Sequence, residues 1–491
     1  MSSPNRVDLA AAARRIVLER GFEPEPGPDV VREVAALRPP DLTNAGDGVR
    51  DMRNLLWSSI DNEESRDLDQ IEFAESLPDG ATRLLIGIAD VDSLVPRGSA
   101  TDAHAGVNTT SLYTGVAIFP MLPDALSAGL TSLLPEQDRR SIVTEVVVEA
   151  DGTVKRYDAY RAIVRNKAKL VYEDVGAWLD AGSGKREAGS AIASLPPSLF
   201  PQLRLQRDAA KRLKAERLRA GALELDTIEA RPTMKDGRVV DLTVTRKNLA
   251  RDLIEDFMIA ANIAIAKFLE EHGSSGIRRV VREPERWERI VDLARERGTT
   301  LPAQPDSQAL AAFLSKEHAK DELRFPDLSL SIVKLLGRGQ YALDLPGKDP
   351  GMHFGLAVHD YSHSTAPNRR YADLIEQRLV KAVLDKKPQP YTNDELAEIA
   401  THCTEREDSA QKVERQMRKV IAAQLLSDKI GQRFDAIVTG VNKDGTYARL
   451  LHPPAEGKVV KGAQGMDVGD RVTLKLVHTD AQRGFIDFAR A

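Results

Sequence analysis

Ile60-Asp61-Asn62-Glu63-Glu64-Ser65-Arg66-Asp67-Leu68-Asp69-Gln70 places three aspartates within nine residues. An apolar approach through Leu55, Leu56, Trp57 and Ile60 precedes it, and a strand-like run with Ile71 and Phe73 follows. Asp67 and Asp69 alternate with Leu68, so in an extended segment both point to one side. Asp61 is separated from them by a polar loop able to fold back. Three carboxylates directed at one point repel one another unless a cation lies between them. Oxygen ligands alone suit a hard ion such as Mg²⁺ or Mn²⁺. Standing by itself, the same pattern also fits a solvated acidic loop, so the rest of the chain has to decide.

The chain has 491 residues, enough for two to four domains. It is 42% hydrophobic and 29% charged, the composition of an ordinary globular protein with large cores. The single cysteine, Cys403, excludes intramolecular disulfides and cysteine metal clusters, which fits a reducing compartment. The N-terminus is polar and no apolar run approaches the roughly 18 residues of a membrane span. The expectation is a cytoplasmic, monomeric protein without a membrane partner. The net charge of −5 does not point to nucleic acid, although local distribution matters more than the sum.

Residues 1–45 read as two short helices, a cap of helix-turn-helix type or a packing appendage. From about 50 to 175 the texture is β-rich, with a hairpin signal at Asp151-Gly152. Residues 180–200 look like a flexible Gly/Ala/Ser loop. Leu203 to Arg219 is a basic helix, either facing a phosphate backbone or simply solvated. A hairpin turning at Lys235-Asp236-Gly237 follows. Leu249 to Glu271 is a long helix, apolar nearly all round and therefore buried. Two more helical stretches cover about 286–316, and another pair covers 370–386 and 394–429. Five short strands within 431–490 suggest a small closed barrel such as an OB-fold, with nine basic against seven acidic residues. The fold class is α+β multidomain: a helical domain at 1–45, a large α/β domain at 46–430 and a five-stranded barrel at 431–491.

A second constellation is Tyr361-Ser362-His363-Ser364-Thr365-Ala366-Pro367-Asn368-Arg369-Arg370-Tyr371. Proline opens a helix at Asn368 or Arg369, which sets both arginines in a first turn near free N–H groups, a good anion site. Arginine also holds phosphate with two parallel hydrogen bonds. An acidic cation cluster plus a phosphate-gripping arginine is what phosphodiester hydrolysis needs.

These motifs, with Ile88-Ala89-Asp90-Val91, Pro120-Met121-Leu122-Pro123 and His353-Phe354-Gly355-Leu356, resemble the RNB catalytic domain of RNase II-type exoribonucleases. The likeness runs over about residues 45–430, in the family's order and spacing. It implies a processive, sequence-nonspecific 3′→5′ hydrolase that uses Mg²⁺ (or Mn²⁺) and releases nucleoside 5′-monophosphates from single-stranded RNA. The C-terminal barrel is similar to the RNA-binding barrel that follows such domains. The resemblance makes Asp61, Asp67 and Asp69 metal and catalytic carboxylates. It makes Arg369 the grip on a phosphate and Tyr113 the aromatic stacked on the terminal nucleotide. Tyr172, Arg370 and Glu414 become further RNA contacts. Three departures stand out. Gln70 replaces a fourth aspartate and offers the metal only a neutral oxygen. No aromatic stands near Arg231-Pro232, where a second clamp residue belongs. The N-terminal residues cannot form the cold-shock barrels that relatives carry, so a more open entrance and deeper degradation of structured RNA are expected. Gln70 also supports a competing expectation, an RNA-binding protein with an impaired RNB domain.

Overall fold

The computed structural model describes residues 7–43, 48–181, 192, 195–226, 229–235, 238–245, 247–284, 286–322 and 324–491. Its centre is a seven-stranded mixed sheet in the order Val49–Asp51, Val154–Arg165, Asp138–Val148, Thr82–Ala89, Gln70–Ser76, Ser58–Asp61, Ala168–Val171. The four inner strands are hydrophobic on both faces, as a sheet buried between two layers requires. Leu84, Ile86, Ile88 and Ala74 pack toward one layer, and Leu85, Ala89 and Ile71 toward the other. The first layer is the helices Tyr172–Asp180, Leu199–Ala220 and Leu249–Glu271. The second is the helix Ala100–Asn108, the segment around Met121 to Leu133, and Leu374.

The helix Leu249–Glu271 is buried on most sides, as its composition predicts, and Asn248 caps it by accepting from Ala250 and Arg251 N–H. One polar residue stands in its apolar run. Asn262, 2% exposed, accepts from the backbone N–H of Ser364 at 2.8 Å and from its hydroxyl at 3.0 Å. Its amide donates to the Tyr361 hydroxyl at 3.3 Å. The helix therefore fixes the segment that leads into Arg369 and Arg370.

The basic helix, Leu199–Ala220, spends several of its cations on packing. Arg212 donates to the carbonyls of Gly80 and Glu149, Lys214 pairs with Glu224 and Asp252, and Arg217 pairs with buried Asp256. Helices at Trp287–Glu296 and Ser307–Lys320 match the sequence reading. A third, Phe325–Leu336, joins them in a satellite core with Phe354. The strands Glu229–Lys235 and Arg238–Thr245 form the expected hairpin. Its turn at 236–237, and the loop residues 182–191 and 193–194, lie outside the described residues.

The two N-terminal helices do not share a core. Leu9–Glu19 packs on the 34-residue helix Asn393–Leu426. In Pro28–Ala36, Val34 joins a different cluster, beneath the sheet, and the Glu33 carboxylate accepts from Ala100 and Thr101 N–H at the start of the helix Ala100–Asn108. Between them the Glu23 side chain binds His104 at 3.1 Å, and the Asn108 side-chain amide accepts from Glu23 N–H and donates to the Glu23 carbonyl. This is the arrangement of a packing strap rather than of a helix-turn-helix unit. The C-terminal strands Arg433–Asn442, Gly445–Leu450, Glu456–Lys461, Arg471–Asp480 and Phe485–Arg490 close into a barrel, as the turn spacing predicts. Its floor shares a hydrophobic cluster with Asn393–Leu426.

Candidate active site

Asp69 sits where the acidic stretch enters the strand Gln70–Ser76. Leu68 beside it is buried in the core, which turns Asp67 and Asp69 to the other side of the chain. The backbone N–H of Asn368, 299 residues away, donates to Asp69 Oδ1 at 3.0 Å. Arg369 Nε lies 3.4 Å from Asp69 Oδ2, with the guanidinium 43% exposed and open to solvent. Thus the two constellations singled out in the sequence meet.

The local backbone explains how. Residues 366–370 form a tight turn, with Arg369 and Arg370 N–H both donating to the Ala366 carbonyl, and the helix begins only at Tyr371. The sequence reading began it two or three residues earlier. Asp373 causes the delay: its carboxylate accepts from Ala366 N–H at 2.8 Å and holds the Arg370 guanidinium at 2.7 Å. Arg370 is accordingly committed to the turn itself. The N–H groups expected to await an external anion have partners already. Asn368 donates to Asp69, and Tyr371 donates to the Thr109 carbonyl at 2.8 Å.

Tyr113 lies in a small hairpin, Leu112–Tyr113 with Ile118–Phe119, that is stitched to the same turn by Ser111 N–H donating to the Arg369 carbonyl at 3.0 Å. Its ring is 41% exposed and its hydroxyl donates to Asp67 Oδ2 at 3.3 Å. Asp61 ends the strand Ser58–Asp61, where Oδ1 accepts from Asn62 N–H at 2.7 Å and the Ser65 hydroxyl at 2.8 Å. Asp61, Asp67, Asp69 and Arg369 are close enough to act on one another electrostatically. Burial raises the Asp61 carboxyl above the ordinary range. Burial also pushes Asp69 up to about 7, against the opposing pull of Arg369, with Asp67 and Asp373 adding to the rise.

Do these groups fit a divalent cation? Asp69 Oδ2 is fully buried and has no hydrogen-bond donor among the described residues, only the charge of Arg369 at 3.4 Å, so it retains capacity for a cation. The donor set is hard oxygen, as Mg²⁺ prefers. However, among the described residues no group of three or more His, Cys, Asp or Glu side chains is arranged to hold an ion as it stands. Asp61 accepts from Asn62 and Ser65, Asp67 from Tyr113 and Asp69 from Asn368. Charge and chemistry fit, and Mg²⁺ keeps several waters and needs only one or two carboxylates.

The remaining sequence candidates fall into place around this centre. Gln70 is buried and pairs with Ile88 at the start of the strand Gln70–Ser76, on the face that carries Glu72. Tyr172 opens the helix Tyr172–Asp180 with its ring 4.4 Å beneath the Arg251 guanidinium. Burial raises its phenol, and Asp61 and Glu72 add to this. Glu414 is half-buried on the helix Asn393–Leu426.

Glu72 itself was not singled out in the sequence. It is 0% exposed, and neither carboxylate oxygen has a hydrogen-bond partner among the described residues. Burial, then the charge of Asp61, hold its carboxyl well above the usual range. Asn262 was equally unmarked, although a lone amide inside an apolar run is a readable signal.

Residues 49–386 match the family model of the RNB domain, and residues 432–491 match the RNase II-type exonuclease C-terminal S1 domain. The chain belongs to the RNB family. Within it, the curated relatives found are ribonucleases. Ribonuclease R of Thermotoga maritima is 30% identical over 95% of this chain and 68% of its own length. Ribonuclease R of Escherichia coli is 30% identical over 86% of this chain, which spans about half, 52%, of that relative. RNase R of Mycoplasma genitalium, solved in complex with ribose-methylated single-stranded RNA, shares the fold with a TM-score of 0.88. That match has 24% identity and covers 99% of this chain and 78% of that one. Exoribonucleases of the RNB family depend on metal. Among the described residues no helix is long and apolar enough to cross a membrane.

Proposed function

We propose that the protein is a processive, sequence-nonspecific 3′→5′ exoribonuclease that hydrolyses single-stranded RNA to nucleoside 5′-monophosphates. The observation that carries this is the meeting of Asp69 and Arg369: a buried carboxylate oxygen without a hydrogen-bond donor, 3.4 Å from a solvent-open guanidinium. Asp61, Asp67 and Asp69 would hold a divalent cation, Mg²⁺ or Mn²⁺. When bound, such an ion supplies activation of water and neutralises charge developing on the phosphate. Arg369 binds a phosphate oxygen at the same centre and orients the scissile bond. Asn368 N–H keeps Asp69 aimed at that point. Tyr113 offers an exposed ring that stacks on the terminal base without reading its identity. Tyr172 and Glu414 line the strand's path in this reading, and Arg370 supports the turn. Gln70, directly after Asp69, would offer the ion only a neutral oxygen beside the three aspartates. The enzyme works as a cytoplasmic monomer, with 46–430 catalytic, 431–491 an RNA-binding barrel and 1–45 a strap.

A second reading, an RNA-binding protein with an impaired catalytic domain, draws on Gln70, a neutral side chain where a fourth aspartate is expected. Incubation of labelled poly(A) with Mg²⁺ separates the two. The hydrolase reading expects mononucleotide release that EDTA abolishes. Asp69→Asn should lower the rate on the order of a thousandfold while RNA binding stays within about threefold. Binding with no release by the native protein would favour the second reading, and full activity of Asp69→Asn would remove Asp69 from the site.

A further inference from the structure

Two guanidinium groups converge beside the acidic loop on a single neutral oxygen. Arg231 Nη1 and Arg251 Nη2 each donate to Asn62 Oδ1 at 3.3 Å. Asn62 directly follows Asp61, so this point borders the proposed cation centre. The remaining partners of the pair are surface carboxylates. Glu173 binds Arg251 at 2.7 Å and is 62% exposed, and Glu64 lies 3.9 Å from Arg231 and is 75% exposed. Arg251 Nε is buried with no hydrogen-bond partner among the described residues. The Arg251 plane is fixed over the Tyr172 ring, whereas Arg231 is 44% exposed on its hairpin. Lys169 Nζ braces the loop by donating to the carbonyls of Glu63 and Ser65 at 2.7 and 2.6 Å.

Two like charges share one uncharged amide oxygen, and the carboxylates that answer them, Glu173 and Glu64, are exposed and free to give way. A tetrahedral dianion or phosphodiester answers both at once, because each guanidinium can present two parallel N–H groups to it. The position suits a strand already held at the active site. Pro232, next to Arg231, packs over Gly115 in the turn of the Tyr113 hairpin, where an added Cβ would meet Pro232 Cγ at 3.0 Å. Gly115 has a φ of +82°, so the turn itself depends on glycine. The hairpin of Arg231 is thereby seated against the hairpin of Tyr113. Arg369 stands at the Asp69 end of the acidic loop and the pair stands at its Asn62 end.

We propose that Arg231 and Arg251 form a second phosphate site, which takes a backbone phosphate of single-stranded RNA upstream of the one at Arg369. This deepens the hydrolase reading and rests on it. Glu64 and Glu173 occupy the donors when RNA is absent and swing into solvent when it binds. The site supplies a grip on the strand at the position where no aromatic side chain stands.

The test uses the full chain and three variants: Arg231→Ala, Arg231→Lys and Lys235→Ala, the last an exposed cation on the same hairpin. Anisotropy of a labelled oligo(A) in EDTA, titrated with salt, measures phosphate contacts without cleavage. Arg231→Ala should reduce the slope of log affinity against log salt by about 0.7, one single-strand phosphate contact. With Mg²⁺ present its KM should rise about tenfold with kcat within about twofold of the native value. Arg231→Lys should restore the slope but not the KM, because a point charge replaces a fork. Lys235→Ala should change neither. A native slope and KM in Arg231→Ala, or an equal effect from Lys235→Ala, would overturn the proposal. A native protein that releases no nucleotide would instead overturn the hydrolase reading, and the salt slopes would still decide the arginine pair.

Discussion

Asp69 and Glu72 are both buried, at 2% and 0% exposure, Asp69 just ahead of the strand Gln70–Ser76 and Glu72 within it. Asp69 is covered by a loop, and loops bring backbone N–H groups and charged side chains: Asn368 and Arg369 reach it. The face of Glu72 is covered by helices whose own N–H groups are already spent, and neither of its oxygens finds a donor among the described residues. The same functional group is thus hydrogen-bonded and ion-paired in one place and unpaired in the other. Burial raises both carboxyls, but only Asp69 has the opposing pull of a nearby arginine. Irregular chain supplies donors that helices cannot.

If the loop side depends on that supply, loosening the loop should harm it most. Asn262→Ala removes the amide that holds Ser364 and leaves a buried N–H unpaired, at a cost of roughly 1–3 kcal/mol. It should also lower kcat about tenfold with little change in KM, through misplacement of Arg369. Urea unfolding and steady-state poly(A) degradation measure the two effects. A stability loss with native kcat would mean that the site does not rely on this anchor.

On the helix side, Glu72→Gln should do the opposite and stabilise the metal-free protein, by roughly 1 kcal/mol at pH 8. The sign follows from the raised carboxyl. Ionising Glu72 is harder folded than unfolded, so its charge costs stability once the pH exceeds the unfolded value near 4.3. Below that pH, Glu and Gln are both neutral and the difference should vanish. An equal difference at pH 4 and pH 8 would assign the effect to packing and break the contrast between the two carboxyls.

The sequence carried the candidate site further than its surroundings. Asp61, Asp67, Asp69 and Arg369 could be singled out from residue type and spacing, and the structure brings them together. Leu249–Glu271 and the barrel strands were readable because periodicity survives without tertiary context. Glu72 was not, since an acid alternating with Ile71 and Phe73 looks like a solvent-facing position. Only the helices packed over that face bury it. The start of the helix at Tyr371 was missed because Asp373 reaches back to Ala366 and holds a turn that proline alone would not specify. Arg231 and Arg251 lie 169 and 189 residues from Asn62, and no local pattern announces a meeting over that distance. The strap was ambiguous for the same reason: its amphipathic helices do not say which surface they cover.

The central claim is that Asp69, beside Arg369, is a cation ligand through a buried oxygen that has no hydrogen-bond donor among the described residues. Mn²⁺ affinity of the native protein and of Asp69→Asn, measured across pH by electron paramagnetic resonance, tests it most directly. Native affinity should weaken as pH falls through about 7, where Asp69 takes up its proton and ceases to be a ligand. Asp69→Asn should bind at least about tenfold more weakly and lose that pH dependence. Native-like Mn²⁺ affinity in Asp69→Asn, with the same pH profile, would contradict the account.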